Sequence, residues 1–287
     1  MLRVFETIAT YDRDIKAGFS IELAPITVLT GENMTGKSLV LHCIYNRAGK
    51  LIGRARWLYP LCTAESRMDI DIAVFVDAYR AVDLLRLFRK KDDVFLTPHY
   101  KLLKTLAKYA SSELLDEAFE TLQDVADRFK EVSKKRGVEL DLPMVMRKYG
   151  KAWVDLKTGA IAGFADLSFI YAPSVVMMYV LYAYAASRGN SVYLLVEQPE
   201  AHASPVTAFF LGRLMKVLVK RAVEKKLEFR IAATTYSLDF ILGAYGEDIA
   251  TVYIFKRHRD SIAVERWDGK SYIPALSAPP VYNLEIP

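Results

Sequence analysis

Two hydrophobic periods alternate along the chain. Leu2 to Thr10 and Phe19 to Leu23 alternate loosely between apolar and polar residues, which predicts two strands. Asp12, Arg13, Asp14 and Gly18 supply the turn between them. Ile26 to Leu29 is an unbroken run of β-forming and apolar residues, the pattern of a strand covered on both faces. Ser38 to Ile44 opens an apolar helix that ends near Gly49. Asp69 to Asp77 places Ile70, Ile72, Val74 and Val76 on one face, a further strand. From Pro98 to Arg136 the step lengthens. Leu102, Leu106, Tyr109, Leu115, Phe119, Leu122, Ala126 and Phe129 recur every three or four residues with charges between. That spacing predicts one or two amphipathic helices, broken at Ser111-Ser112, where a serine can cap the second. Trp153 to Ile170 is mixed. Phe169 to Ala186 is an apolar and aromatic helix, and Ser187-Arg188-Gly189-Asn190 stops it. Ser191 to Val196 and Phe229 to Thr235 read as buried strands around a helix, Val206 to Lys226, with a basic outer face. Thr251 to Phe255 and Ile262 to Arg266 form a hairpin round Arg257 to Ser261, and the proline-rich end from Ala278 is a loose tail.

Strands alternating with helices predict an α/β fold with a central, mostly parallel sheet. A small N-terminal antiparallel β part and a helical insertion at 97–150 complete a single domain spanning 1–287. With 287 residues, 52% hydrophobic and 25% charged, the chain can bury a sizeable core. Arg3, Glu6, Asp12 and Asp14 interrupt any leader-like apolar run, and Phe169 to Ala186 reads as buried rather than membrane-spanning. The expected location is cytoplasmic, without a membrane. A net charge of +5 permits nucleic acid or an acidic surface as partner. Arg54, Arg56, Trp57 and Tyr59 suit either a base contact or simple packing. The basic residues between Lys101 and Arg136 suit either a partner or water. Cys43 and Cys62 make no disulfide framework or metal site. Asparagine occurs only at 33, 46, 190 and 283 and glutamine only at 123 and 198, a scarcity that suggests a heat-adapted source.

The strongest chemical signal is Gly31-Glu32-Asn33-Met34-Thr35-Gly36-Lys37-Ser38, which fits G-x-x-x-x-G-K-[ST] at every fixed position. A strand precedes it and a helix follows, the context in which such a loop wraps phosphates. Glycines let the backbone close on an anion, and the loop amides and helix N-terminus carry partial positive charge. Lys37 would reach the β- and γ-phosphates of ATP, and the Ser38 hydroxyl would ligate Mg²⁺. Such a site needs a second, acidic strand end, and Ser191 to Val196 runs into Glu197-Gln198-Pro199-Glu200-Ala201-His202-Ala203-Ser204-Pro205.

In this order, ITVLTGENMTGKS, LLVEQPEAHASP and IAATTYSLDFI resemble the ABC-type ATPases of the RecF/SMC and OLD-like branch. The resemblance covers nearly the whole chain, least at 97–150. It implies Lys37 on phosphates, Ser38 and Glu197 on Mg²⁺, Gln198 where a catalytic glutamate usually stands, and Tyr236 where the switch histidine stands. Glu200, His202 and Pro205 match the rest of the acidic motif, with His202 either near the nucleotide or packing the next helix. Gln198 can orient a water but is no carboxylate base, and Tyr236 lacks imidazole chemistry. Tyr171-Ala172-Pro173-Ser174 stands where a glycine-bearing signature loop belongs, and no glutamine occurs between Ser38 and Gln123. The implied function is a slow Mg²⁺-ATPase coupling nucleotide state to DNA, RNA or a protein, possible as a homodimer. The alternative is a non-hydrolysing nucleotide switch or scaffold. A phosphoryl-transferring kinase is a weaker third reading, because the EQPEAH motif offers no acceptor site.

Overall fold

The computed structural model describes residues 1–9, 14–53, 62–64, 69–78, 98–135, 167–201 and 203–270. Its strands are β1 (Leu2–Ala9), β2 (Asp14–Ile21), β3 (Ile26–Gly31), β4 (Lys50–Gly53) and β5 (Cys62–Ala64). Then come β6 (Ile72–Val76), β7 (Val192–Glu197), β8 (Phe229–Thr234), β9 (Ala250–His258) and β10 (Ser261–Arg266). The helices are α1 (Lys37–Tyr45), α2 (Pro98–Ala107), α3 (Ser112–Lys135), α4 (Leu167–Ala186), α5 (Pro205–Glu224) and α6 (Leu238–Ala244).

All the described strands join one sheet in the order β4-β6-β7-β8-β3-β9-β10-β2-β1-β5. The first six are mutually parallel. Beyond β9 the sheet turns antiparallel through the β9–β10 and β1–β2 hairpins, and one parallel pair, Ser261 with Lys16, joins the two hairpins. The fold class is therefore α/β, a mostly parallel central sheet with an antiparallel β part, as the alternation of periods predicts.

Burial on both faces explains the unbroken apolar strands. On β6, Ile72, Val74 and Val76 share one core as expected, but Ile70, which precedes the strand, joins the other core with Ala73 and Phe75. One core packs the sheet against α4, α5 and α6. The other holds α1 between the parallel strands and Leu2, Val4, Phe19 and Ile21 of the first hairpin, with Cys43 fully buried in it. Every residue from Val175 to Ala186 is buried, because α2 and α3 cover the outer side of α4. This is why α4 is apolar all round. No helix of the described residues is long and apolar enough to cross a membrane.

Several elements depart from the periodicity. β2 starts at Asp14, so Gly18 lies inside the strand opposite Phe5 rather than in the turn. β4 and β5 are too short, at 4 and 3 residues, to show a period, and the 7-residue α6 is likewise beyond its reach. The break between α2 and α3 falls as expected, and the Leu114 N–H donates to Ser111 Oγ at 3.5 Å. The aromatic and basic stretch at 54–59, the rest of the 97–150 segment beyond Lys135, residues 151–166, His202 and the tail from 271 lie outside the described residues.

Candidate functional site

Parallel pairing brings the carboxyl ends of β7, β8, β3 and β9 to one edge, where α/β sheets bind ligands. Glu197 pairs with Thr234, Thr234 with Leu29, and Leu29 with Tyr253. Glu197 thus stands two strand spacings from β3, about 10 Å.

The loop after β3 is shaped by its glycines. Gly31 has φ 115°, and a Cβ there would lie 2.1 Å from the Phe255 carbonyl oxygen. Gly36, at φ 86°, caps α1 in the left-handed conformation. The Glu32 N–H donates to the Phe255 carbonyl at 3.0 Å, which holds the loop to β9. Met34 sits at the tip, 45% exposed, with φ 56°.

Lys37 is curled inside this loop. Its Nζ donates to the carbonyls of Gly31, at 3.1 Å, and Glu32, and reaches Thr35 Oγ1 at 3.5 Å. Thr35 Oγ1 in turn donates to the Glu32 carbonyl at 2.8 Å. The ammonium lies 4.8 Å from the centroid of the Tyr236 ring. With 5% of its surface exposed, Lys37 has its pKa pulled by burial from 10.5 to about 8, against the opposing charge of Glu32. The first turn of α1 presents its main-chain N–H groups next to this charge.

Ser38 lies in that turn. Four residues on, and so on the same side of the helix, His42 is 3% exposed and stacks at 5.0 Å on Phe75. Burial lowers the His42 pKa and the Glu197 charge raises it. His42 Nδ1 is buried without a hydrogen-bond partner. Burial, then Glu200, then Glu197 push the Tyr236 phenol up. The Glu197 carboxylate therefore acts on both α1 and the loop after β8.

That loop is tied to its neighbours. The Thr235 N–H donates to Leu29 O at 3.0 Å, and the Tyr236 N–H donates to Glu200 Oε1 at 2.8 Å. The Tyr236 hydroxyl donates to Asn33 Oδ1. Tyr236 thus joins the tip of the glycine loop to the turn after β7. Gln198 leaves β7 at φ 46°, with its N–H on Thr234 O at 2.8 Å. Part of the acidic motif is helix architecture. Ser204 Oγ accepts the Thr207 N–H at 3.2 Å and Pro205 opens α5. Ser237 caps α6 in the same way through Phe240 N–H, at 3.2 Å. Tyr171 to Ser174, at the expected place of a signature loop, lie within α4.

Among the described residues no group of three or more His, Cys, Asp or Glu could hold a metal ion. The Ser38 hydroxyl and Glu197 carboxylate are hard oxygen donors on adjoining elements, a pair that fits Mg²⁺ shared with phosphates rather than caged by protein.

Three features of the site go beyond the sequence motifs. His42 was legible, four residues after Ser38 on a helix. The hold of Glu200 on Tyr236 and the approach of Arg257 to the loop had no signal, because both depend on strand order.

A glycine loop between a parallel strand and a helix, level with an acidic strand end two strands away, defines a P-loop α/β fold. No protein-family model matches the chain, and no curated protein matches it. Solved structures similar to it include a nucleotide-free ATP-binding cassette from an ABC transporter, at 14% identity and TM-score 0.42 over 93% of this chain and 92% of that one. The ADP conformation of MJ1267, an ATP-binding cassette of an ABC transporter, is similar at 15% identity and TM-score 0.44, over 93% and 91%. The cbiO1 protein of Clostridium perfringens, part of an ABC transporter complex, is similar at 16% and 0.37, over 92% and 87%. Likeness at this level says nothing about activity.

Proposed function

We propose that the chain is a slow Mg²⁺-dependent ATPase whose nucleotide state is coupled to a macromolecular partner. The observation that carries this reading is the buried ammonium of Lys37 inside the glycine loop, beneath Tyr236. Gly31 to Ser38 would wrap the phosphates, with the amides of Asn33, Met34 and Thr35 and the start of α1 facing them, while the Glu32 amide stays on Phe255. Lys37 would leave the loop carbonyls for the β- and γ-phosphates. Ser38 and Glu197 would hold Mg²⁺, which when bound neutralises charge on the transferring phosphoryl group. Gln198 would orient the attacking water through its amide. Tyr236, on Asn33 and Glu200, would set the distance between the loop tip and that water.

The test is calorimetry with Mg²⁺-ATP alongside phosphate release on the same sample. The expected outcome is micromolar-range binding that Lys37→Ala abolishes without loss of the fold, and slow but measurable release. Equal affinity in both proteins removes the site assignment. A second reading, a nucleotide switch without turnover, is favoured by the amide at Gln198, and binding with no release selects it.

The single domain with an inserted 97–150 segment, a cytoplasmic location, a heat-adapted source and a homodimer belong to the same proposal. For nucleic acid as the partner the support is the net charge of +5. Many cations of the basic faces already meet acids, among them Lys130, Lys135, Arg221, Lys225 and Arg230. DNA or RNA retention at low salt that falls steeply as salt is added is the expected result, and no retention with or without ATP selects a protein partner.

A further inference from the structure

The two flanks of the glycine loop differ in chemistry. On one side of β3 stands β8, leading to Tyr236, and beyond it β7 with Glu197 and Gln198. On the other side stands β9, whose end carries Arg257. The Arg257 N–H donates to Glu32 Oε2 at 3.3 Å, and its Nη2 donates to the Asn33 carbonyl at 3.3 Å. Its Nε is buried and has no hydrogen-bond partner. The neighbouring carboxylate of Glu265 is taken by Lys256, at 2.6 Å. Among the described residues the Arg257 guanidinium forms no ion pair. A guanidinium fixed by one nitrogen to the loop, with a second nitrogen buried and unsatisfied, is a donor set waiting for an acceptor.

The asymmetry sets the direction of a bound phosphate chain. Metal and attacking water need Glu197 and Gln198, so the γ-phosphate lies on the β8 side. The chain then passes Lys37, and its nucleoside end leaves on the β9 side. We infer that Arg257 binds the nucleoside-proximal α-phosphate of the nucleotide, an inference that rests on reading the loop as a nucleotide site. The planar fork suits this, because one edge can stay on Asn33 while Nε turns to a phosphate oxygen.

The test is calorimetry with ATP and with the separated Rp and Sp diastereomers of ATP carrying sulfur on the α-phosphorus. Unmodified protein, Lys37→Ala and Arg257→Ala are compared. ATP binding by the unmodified chain, lost in Lys37→Ala, upholds the nucleotide reading by itself. Arg257→Ala is expected to weaken ATP binding by at least about tenfold and to erase a preference between the diastereomers shown by the unmodified chain. Unchanged affinity, no preference in the unmodified chain, or weaker binding with the preference intact overturns the inference. The last outcome makes Arg257 a support for the loop only. Arg257→Lys, which keeps the charge but not the fork, replaces the alanine variant where that one fails to fold, and it too should lose the preference. If the unmodified chain binds no ATP, the nucleotide reading fails and takes this contact with it.

Discussion

At the scale of single residues, Lys37 and Gln198 are each out of the ordinary for a measurable reason. Burial holds the Lys37 pKa near 8 rather than 10.5. Below about pH 8 the ammonium is charged in folded and unfolded chains alike, and its burial is a full cost to folding. Between 8 and 10.5 the folded chain has released the proton and the unfolded chain still holds it, so stability rises with pH through that window. Lys37→Met should therefore melt higher than the unmodified chain below pH 8, by a margin that shrinks towards pH 10.5. ATP affinity should move the other way and fall above about pH 8, as the cation is lost. A margin flat across that range would mean that Lys37 is not desolvated. Gln198 occupies φ 46°, a conformation that glutamate adopts at similar cost, so Gln198→Glu isolates the change from amide to carboxylate. General-base assistance is worth roughly 10²–10⁴-fold in rate. A rise in phosphate release with ATP affinity nearly unchanged is expected. Unchanged or lower turnover would move the catalytic assignment to Glu200 or leave a binding site only.

Elements place these residues, and the crossing of α5 and α6 is a close joint between two helices. A Cβ on Gly212 would lie 2.4 Å from the Phe240 carbonyl oxygen, and one on Gly243 2.2 Å from that of Phe209. Backbone meets backbone, so no side chain can move aside. Gly212→Ala should cost about 1–3 kcal/mol by overpacking, read from the urea midpoint. Because α6 is capped by Ser237, next to Tyr236, the same variant should also shift ATP affinity. An unchanged midpoint would show that the crossing opens freely. The glycine at 212 carried no mark of this in the sequence, where it sits inside a good helical pattern. Its partner was hidden too, because α6 is too short for periodicity to reveal.

For the whole molecule, one network ties the 97–150 segment to the body. Glu117 of α3 accepts the Tyr184 hydroxyl of α4 at 3.0 Å and the Lys225 ammonium just past α5, with Arg221 at 3.7 Å. Burial pushes the Glu117 carboxyl up, but the Lys225 and Tyr184 hydrogen bonds and the two cations outweigh it and leave the group below its ordinary value. This depressed carboxylate contributes stability above the ordinary carboxylate range, and the contribution is lost as pH falls through the lowered folded value. Glu117→Ala should destabilise by about 1–3 kcal/mol, since the Tyr184 hydroxyl loses its acceptor, and should flatten the acid side of the stability curve. If α3 is a mere appendage, the variant will melt like the parent.

Periodicity and motif spacing alone determined the α/β class, the buried strands β3, β7 and β8, the capped break before α3, and the glycine loop with its acidic counterpart. Those features are local. A strand covered on both faces is written as an apolar run, a phosphate loop as glycines at fixed steps, and a helix start as a serine. Nothing in the residues around β8 could reveal that Tyr236 lies over Lys37, nor could β9 reveal that Arg257 meets Asn33. These contacts arise because strands far apart in sequence become neighbours, β8 on one side of β3 and β9 on the other. Strand order is set by how the helices pack on the two faces, and so the flanks of the site are decided only in three dimensions.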